Sequence, residues 1–281
     1  MDLTSKQNVQ LLLEKHGLKP LKRFGQNFLI DKDLPRKLVA TAEISVQDTV
    51  LEIGPGIGAI TQALAQKAKW VVAIEKDRNM VEILKETLKD FNNIEVIEAD
   101  IRKLNFQNYK LKTTNYKLVG NLPFYLTAPV IRQFLESAET RPPLTMTLVV
   151  QKEVAQRICA KPPRMSILAN AVQFYADPEI ISVISKKSFW PQPEVDAAII
   201  KIAPKTQNVQ TPDVCTFFKI VKAGFSHPRK QLLNNLAQGL KKSREEITAW
   251  LQKNNVSPQQ RAETLSVSNW LNLAKSFKIN Q

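Results

Sequence analysis

The pattern that most limits the fold is an alternation of short apolar runs with helical periodicity, which begins near residue 45. The runs predict strands, and the segments between them repeat apolar residues at the spacing of amphipathic helices. Such a βαβ succession favours a doubly wound, mostly parallel α/β sheet. The predicted strands span residues 50–53, 71–74, 94–97, 117–119 and 146–150, and a late strand over residues 195–202 is expected at the sheet edge.

The C-terminal part of the chain has a different pattern. Residues 203–212 lack an apolar period and are bounded by prolines, which predicts a linker. Beyond them the periodicity is helical: Ser243-Arg244-Glu245-Glu246 has the form of a capping box, and Ser257-Pro258 is typical of a helix start. We therefore predict an α/β domain over residues 1–204 and a small all-helical domain over residues 205–281.

Charge distinguishes the ends of the chain from its middle. The 281 residues carry 40 Lys and Arg against 26 Asp and Glu, a formal net charge of +14. Residues 1–40 contribute +4 and residues 205–281 contribute +8, which leaves +2 for the middle. Basic flanks around a nearly neutral body indicate a polyanionic partner, although a merely basic surface would give the same count.

The composition also argues against several classes of protein. Two cysteines and two histidines, widely spaced, argue against a disulfide framework and against a metal centre. The apolar runs are too short to cross a bilayer, and the N-terminus lacks the apolar core of a signal peptide. We expect a cytoplasmic protein with no bound metal.

Candidate functional residues follow the predicted strands in chain order. Gly54-Pro55-Gly56-Ile57-Gly58 comes after the first strand, where glycines allow a sharp turn and the close approach of a ligand. Glu75 ends the second strand, 21 residues after Gly54, and could accept hydrogen bonds from ribose hydroxyls. Asp100 follows the third strand and could accept from an adenine amine. The glycine loop alone fits a nucleoside cofactor or a tight structural turn equally well.

The tetrapeptide Asn121-Leu122-Pro123-Phe124 follows the fourth strand. In open α/β sheets ligands bind at this edge. An amide that both donates and accepts, a stiff turn and an aromatic face suit the binding of a flat base by its exocyclic amine, although Asn-x-Pro is also common in turns. Sites at four successive strand ends together resemble the S-adenosylmethionine-dependent methyltransferases of class I, whose sheet is Rossmann-like.

Other segments narrow this resemblance. Residues 21–29 (LKRFGQNFL), 189–198 (FWPQPEVDAA), 229–236 (RKQLLNNL) and 261–266 (RAETLS) are similar to motifs of the ribosomal RNA adenine dimethyltransferase family, and most similar to its bacterial small-subunit branch. The similarity extends from about residue 20 to the end of the chain.

The resemblance implies S-adenosylmethionine as cofactor and two adjacent adenosines near the 3′ end of small-subunit rRNA as targets, within an immature 30S particle bound by a monomer. Catalysis would fall to Asn121, Leu122, Pro123 and Phe124. Cofactor binding would fall to Asn27, Leu29, Gly54, Gly56, Glu75, Asp100, Ile101 and Asn121. The basic flanks offer Lys22, Arg23, Arg229, Lys230, Lys241, Lys242 and Arg244 as candidates for phosphate contacts.

The chain departs from the family pattern at three places. Phe124 stands where the family usually has Tyr, so stacking on a base should survive while a hydroxyl contact is lost. Ala197 replaces the commoner Ser. Residues 161–166 (KPPRMS) stand where a glycine-containing turn is frequent, so the path of that loop does not follow from the resemblance.

Three other functions compete with this one. The large-subunit rRNA methyltransferases of macrolide resistance share the expected fold, but usually carry Ile where this chain has Leu122. A non-catalytic role in ribosome assembly or RNA binding would leave the methyl-transfer residues unused. A nicotinamide dehydrogenase is a remote third possibility, since the scarcity of histidines argues against hydride chemistry.

Overall fold

The computed structural model describes residues 1–21, 25–104, 115–136, 141–205 and 214–277. The chain divides into two compact units: Met1–Ala155 with Asp177–Pro204, and Gln156–Ala176 with Lys205–Gln281. The end of the first unit at Pro204 coincides with the domain boundary expected from the sequence. Residues 156–176, which the sequence assigned to the α/β domain, belong to the second unit instead.

The described residues form nine strands and eleven α-helices. The strands are β1 Phe28–Leu29, β2 Thr49–Ile53, β3 Trp70–Glu75, β4 Ile94–Glu98, β5 Tyr116–Asn121, β6 Met146–Gln151, β7 Ala176–Ile184, β8 Phe189–Trp190 and β9 Ala197–Pro204. The helices are α1 Lys6–Lys15, α2 Asp33–Thr41, α3 Ala59–Ala65, α4 Arg78–Thr87, α5 Thr127–Glu136, α6 Lys152–Ile158, α7 Ile167–Tyr175, α8 Val214–Gly224, α9 Leu232–Leu240, α10 Arg244–Lys253 and α11 Val267–Ser276.

The main sheet confirms the predicted α/β class. Its seven strands lie in the order β4-β3-β2-β5-β6-β9-β7, and β2 to β6 are mutually parallel where they pair. The prediction for the late strand was wrong in its position, because β9 lies inside the sheet, antiparallel to β6, and β7 forms the edge. Strand β7 is missing from the predicted strands, although its residues 180–184 (IISVI) are mostly apolar, because Asp177, Pro178 and Glu179 obscure the pattern in its first half.

The central strands are apolar because helices cover both faces of a parallel sheet. Val50, Leu51, Leu118 and Val119 are completely buried. The crossover helix α4 begins after Asp77, which caps it by accepting a 3.0 Å hydrogen bond from the Asn79 backbone. The parallel strands therefore end side by side at one edge of the sheet. Among the described helices none is long and apolar enough to span a bilayer.

A second, two-stranded sheet joins two sequence motifs. In the antiparallel β1–β8 pair, Phe28 lies opposite Trp190 and Leu29 lies opposite Phe189. Phe28, Leu29 and Phe189 are buried. The two motif segments that the sequence separates by about 160 residues are therefore adjacent in the first unit.

The second unit is helical, as expected. Its core contains the buried Phe217, Leu236 and Trp270. The capping box at Ser243 and Glu246 is confirmed. Two local expectations were wrong: Ser257 opens a turn closed by the Gln260 backbone instead of a helix, and Ala203 and Pro204 belong to β9 instead of a linker. Most of the expected linker, residues 206–212, lies outside the described residues.

The loop of residues 161–166 also belongs to the second unit. Its turn is closed by the Arg164 backbone, which donates a 2.9 Å hydrogen bond to the Lys161 carbonyl. Met165 then donates to the Glu263 carbonyl at 2.9 Å, and Ser166 caps α7. The glycine-free sequence is thus held by a backbone contact to the 261–266 segment.

Candidate active site

The carboxyl ends of β2, β3 and β5, with the segment that follows β4, surround a cleft of about 970 Å³, open solvent at its mouth included. All eight residues that the resemblance assigned to a cofactor line this cleft: Asn27, Leu29, Gly54, Gly56, Glu75, Asp100, Ile101 and Asn121. Residues far apart in the chain therefore converge on one cavity at the expected sheet edge.

The glycine loop forms one wall through its backbone. Gly54, Gly56 and Gly58 have φ angles of 71°, 59° and 97°, a region that side chains with a Cβ rarely adopt. A Cβ on Gly54 would stand 3.7 Å from the Asn121 carbonyl oxygen, which is an ordinary contact distance. The φ angles, and not a lack of space, therefore require glycine here, and the loop leaves the cleft lined by peptide groups.

Glu75 is held by backbone donors only. Its Oε1 accepts from the N–H groups of Lys76 and Asp77 at 2.8 and 2.9 Å, and its Oε2 accepts from the Gly56 N–H at 3.1 Å. Burial raises the pKa of Glu75, and these three hydrogen bonds oppose the shift. Since a carboxylate has about four acceptor sites, Oε2 keeps capacity for a further donor, as ribose binding requires.

Asp100 is held differently, by long cationic side chains. Arg102 donates to its Oδ1 through Nε at 3.0 Å and through its backbone N–H at 3.1 Å, and to Oδ2 through a terminal nitrogen at 2.6 Å. Lys76 Nζ lies 3.1 Å from Oδ2. The Arg102 guanidinium, with Lys76, holds the pKa of Asp100 well below its usual range, although partial burial opposes the shift. An adenine amine that donated to Asp100 would have to share the carboxylate with Arg102 and Lys76.

Glu52 lies on β2, just before the glycine loop, and is absent from the lining of the main cleft. It is completely buried, and neither carboxyl oxygen has a hydrogen-bond partner among the described residues. Burial raises the pKa of Glu52 to about 8, and the negative charge of Glu75 adds to this increase. The nearby Thr61 hydroxyl lowers the pKa, although it is not placed to form a hydrogen bond with Glu52. Glu52 is therefore protonated at neutral pH, and its neutral form is compatible with an apolar site.

The segment before β1 crosses the tetrapeptide. A Cβ on Gly25, whose φ is 63°, would stand 3.2 Å from the Pro123 Cβ, so the crossing requires glycine. The Asn27 amide donates to the Gly25 carbonyl at 3.2 Å. The side-chain oxygen of Gln26 accepts a 2.8 Å hydrogen bond from the Leu21 backbone N–H, and its nitrogen donates a 2.8 Å hydrogen bond to the Asp77 carboxylate. Gln26 therefore bridges these two residues.

Sequence reasoning missed several residues of the cleft. Gln26, Lys76, Arg102 and Tyr125 all line it, yet none was assigned a role. For Arg102 a signal existed, because a cation two residues after an acid at a strand end can fold back onto it. No pattern in the sequence predicts the Gln26 bridge, because it depends on the tertiary contact with Asp77.

Asn121 ends β5 and faces two cavities. It lines the main cleft and also a smaller pocket of about 370 Å³, here called the base pocket, which all four residues of the tetrapeptide line. The Asn121 side-chain amide has no hydrogen-bond partner among the described residues. Gly25, Asn27 and Pro123 are likewise shared by the two cavities. The tetrapeptide therefore forms the wall between a large cleft and a small pocket.

The rest of the base pocket is mainly apolar. Val149, Phe189, Pro193 and Ala197 contribute to it, so the Ala197 departure from the family pattern falls on its wall. Phe124 stands at its rim with 40% of its surface exposed. Two of the three departures from the family pattern, Phe124 and Ala197, thus concern this pocket, and neither introduces a charge.

The described residues among the RNA-binding candidates lie at the two ends of α9. Lys22 and Arg23 lie outside the described residues. Arg229 and Lys230 are exposed just before α9, whereas Lys241, Lys242 and Arg244 follow its end. Lys242 is paired with Glu246 at 3.3 Å, and Arg244 donates to Asn234 Oδ1 at 2.8 Å. These five residues belong to the second unit, and the tetrapeptide belongs to the first.

Comparison with known proteins agrees with this geometry. A family described as "Ribosomal RNA adenine dimethylase" matches residues 17–278. The "Ribosomal RNA small subunit methyltransferase A" of Dehalococcoides mccartyi (strain CBDB1) is 42% identical over 270 residues, 96% of this chain and 92% of that protein.

Two solved structures share the fold over most of the chain. The 23S rRNA methyltransferase ErmE has a TM-score of 0.72 at 26% identity and covers 89% of this chain and 98% of its own. A dimethyladenosine transferase from Plasmodium falciparum also has a TM-score of 0.72, at 25% identity, and covers 87% and 95%.

Proposed function

This chain belongs to the ribosomal RNA adenine dimethylase family, and from that premise we propose that it dimethylates the exocyclic N6 of two adjacent adenosines in the 3′-terminal loop of small-subunit rRNA, with S-adenosylmethionine as methyl donor. The single observation that carries the proposal is the position of Asn121 on the wall shared by the main cleft and the base pocket. A group in that position can hold a target amine against a methyl donor.

The main cleft fits the proposed cofactor. When bound, S-adenosylmethionine supplies a methyl group attached to a positively charged sulfur. The glycine loop leaves the space that a Cβ would fill, and Glu75 retains acceptor capacity for ribose hydroxyls. Asn27 and Leu29 also line the cleft and would close over the cofactor, and Asp100 with Ile101 would receive the adenine. At Asp100 the fit requires that Arg102 or Lys76 give up one contact.

In the base pocket the chain's task is to prepare a poor nucleophile, since the lone pair of an adenine amine is delocalised into the ring. The free Asn121 amide oxygen and the Leu122 carbonyl can accept the two amine protons. Acceptance by two oxygens favours a pyramidal nitrogen whose lone pair points towards the main cleft. Rate enhancement then comes from positioning and electrostatics, and the alkylated nitrogen can release its proton to water.

Entry to the base pocket requires the target base to leave its stack. The exposed rim position of Phe124 offers an aromatic face to such a base, and Phe124 lacks a hydroxyl, so its contribution is stacking. The small Ala197 side chain and the apolar walls leave room for a base that already carries one methyl group. Dimethylation therefore needs no additional charged group.

An rRNA partner also accounts for the basic flanks. Arg229, Lys230, Lys241, Lys242 and Arg244 are exposed or half-buried on the second unit, where they can contact phosphates, and Lys22 and Arg23 extend the proposal to the N-terminal arm. We take the partner to be an immature 30S particle in the cytoplasm, bound by a monomer, with the methylation serving small-subunit biogenesis.

The test is methyl transfer by an Asn121→Ala variant to undermethylated small subunits. We expect kcat to fall roughly 100- to 1000-fold, as for loss of one preorganised polar group in an active site, with cofactor affinity nearly unchanged. Asn92→Ala, which removes an exposed amide that lines neither cavity, should behave as the wild type. Near-normal methylation by Asn121→Ala would sink the assignment.

Mapping the labelled methyl groups separates the alternatives. Label at the adjacent 3′-terminal adenosines supports the small-subunit function. Label on large-subunit rRNA would instead support a macrolide-resistance type of enzyme, whose solved relative ErmE is less similar in sequence than the small-subunit relative. Absence of label from every rRNA would support a non-catalytic role in assembly.

A further inference from the structure

Beyond the base pocket the first unit has a third concave surface, here called the outer groove. It encloses about 1700 Å³, open solvent included, against about 370 Å³ for the base pocket. One side of it is formed by α1 and the residues that follow, and the other by residues 190–195. Phe124, Pro193 and Val195 line both the outer groove and the base pocket, so the two are continuous.

Free side-chain amides line the outer groove. Gln10 on α1, Gln151 at the end of β6 and Gln192 after β8 all face it. None of these three side chains has a hydrogen-bond partner among the described residues. An amide offers two donors and an acceptor, which matches the mixed donor and acceptor edges that nucleobases present.

The described residues of the outer groove carry little positive charge. Among them Lys19 is the single cation, whereas Glu14 and Glu194 are acidic. A surface that tracks phosphates is cationic. This described part of the lining therefore fits the uncharged base of a nucleotide better than its phosphate.

Trp190 gives the outer groove a stacking surface. It is half-buried, since part of the ring packs against the apolar cluster of α1 that includes Val9 and Leu12, while the ring also lines the groove. A ring fixed on one side and open on the other is preorganised for stacking, and sequence-tolerant recognition of unpaired bases relies on such aromatic faces.

We propose that the outer groove binds the base of the nucleotide adjoining the target adenosine, stacked on Trp190 and hydrogen-bonded at its edge by Gln10 and Gln192. The inference rests on the proposed function, because a base held in the base pocket forces its neighbour in the strand to lie just outside the rim at Phe124. Two unstacked neighbouring bases would then be held in separate places, which prevents them from restacking on each other.

The experiment is a double-mutant cycle that combines one substitution in the protein with one change in the RNA. A hairpin oligoribonucleotide with the target adenosine in its loop is prepared with the natural neighbour and with an abasic ribose in its place. With the natural RNA, Trp190→Ala should lower kcat/KM roughly 5- to 100-fold, the range for loss of one base–aromatic stack, without changing cofactor affinity. With the abasic RNA the same substitution should have little effect, because the interaction is already missing.

A second variant guards against misfolding of Trp190→Ala. The double variant Gln10→Ala with Gln192→Ala removes only half-buried or exposed amides and should lower kcat/KM for the natural RNA alone; Gln66→Ala, an exposed amide outside all three cavities, is its matched control. Equal losses with both RNAs, or kcat/KM within twofold of the wild type for both variants, would overturn the proposal.

Failure of the proposed function gives a different result. If the wild type methylates no rRNA, 2-aminopurine is placed at the neighbouring position and its fluorescence is followed as protein is added. Quenching by the wild type that Trp190→Ala abolishes would support the outer groove without the activity. Fluorescence that does not differ between the two proteins would count against the groove itself.

Discussion

The two ends of the main cleft hold their carboxylates by opposite means. At the glycine end, formed by Gly54, Gly56 and Glu75, the acceptor is half-buried and is fixed by three backbone N–H groups. At the Asp100 end, the acceptor is held by Arg102 and Lys76, whose side chains are each 44% exposed. The first end is therefore preorganised, whereas the second must exchange partners when a ligand arrives.

This contrast has a thermodynamic consequence. Groups of the glycine end contribute to folding as well as binding, because their partners are part of the sheet edge. Groups of the Asp100 end can be changed with little effect on folding, because exposed ion pairs contribute little. Substitutions at the two ends should therefore separate stability from affinity.

The largest effect is expected for Glu52→Gln, on β2 just before the glycine end. Its ordinary pKa of 4.5 applies in the unfolded chain, against about 8 in the folded protein. Between these values only the unfolded chain loses the proton, so wild-type stability falls as pH rises, by up to about 5 kcal/mol. Urea unfolding from pH 5 to pH 8 should show this decline, and the variant should flatten it.

Glu95→Gln is the matched control for that measurement, since Glu95 is an exposed glutamate on β4. It should leave the pH dependence of unfolding as in the wild type. An unchanged slope for Glu52→Gln would mean that Glu52 is ionised in the folded state, contrary to its burial without partners.

The next largest effect is expected for Glu75→Gln. An amide cannot accept at both ends, so its nitrogen would face the N–H of Gly56 or those of Lys76 and Asp77. We expect S-adenosylmethionine to bind roughly 10- to 100-fold more weakly, as for loss of a hydrogen bond to a charged group, with a lower melting temperature. Calorimetric titration and thermal unfolding measure both. If binding weakens while the melting temperature stays unchanged, the glycine end does not contribute to folding and does not differ from the Asp100 end in this respect.

A smaller effect is expected for Asp100→Asn. The carboxylate already shares its acceptor sites with Arg102 and Lys76, so its net gain from an adenine amine is reduced. Affinity for S-adenosylmethionine should fall roughly 5- to 10-fold, less than for loss of an unshared hydrogen bond to a charged group, while the melting temperature stays within a degree or two of the wild type. A large loss of stability would show that the pairs around Asp100 support the fold.

The smallest effect is expected for Arg102→Ala, and it has the opposite sign. Removing the main competitor for Asp100 should strengthen S-adenosylmethionine binding roughly two- to fivefold. Arg36→Ala, which removes an exposed cation of α2 outside the cleft, controls for the change in net charge. If Arg102→Ala binds more weakly than the wild type, Arg102 contacts the cofactor itself and does not merely compete with it.

Much of the site could be predicted because each part of it is local in sequence. Gly54, Glu75, Asp100 and Asn121 each lie at the end of a strand or within two residues of it, and parallel strands bring their carboxyl ends to one edge. The prediction failed where local signals are mixed. Edge strand β7 begins with Asp177, Pro178 and Glu179 before its apolar residues, and the Ser257-Pro258 pair, a common helix start, opens only a turn.

The sequence by itself determined the parallel sheet, the helical C-terminal region and the set of residues at the strand ends, because hydrophobic periodicity and capping act over a few neighbouring residues. Tertiary structure alone decided that Phe28 pairs with Trp190, that Gln26 bridges to Asp77 and that Lys76 shares Asp100 with Arg102. Such contacts join distant segments, and which partners meet depends on how the completed sheet and its crossings fill space, not on any short pattern.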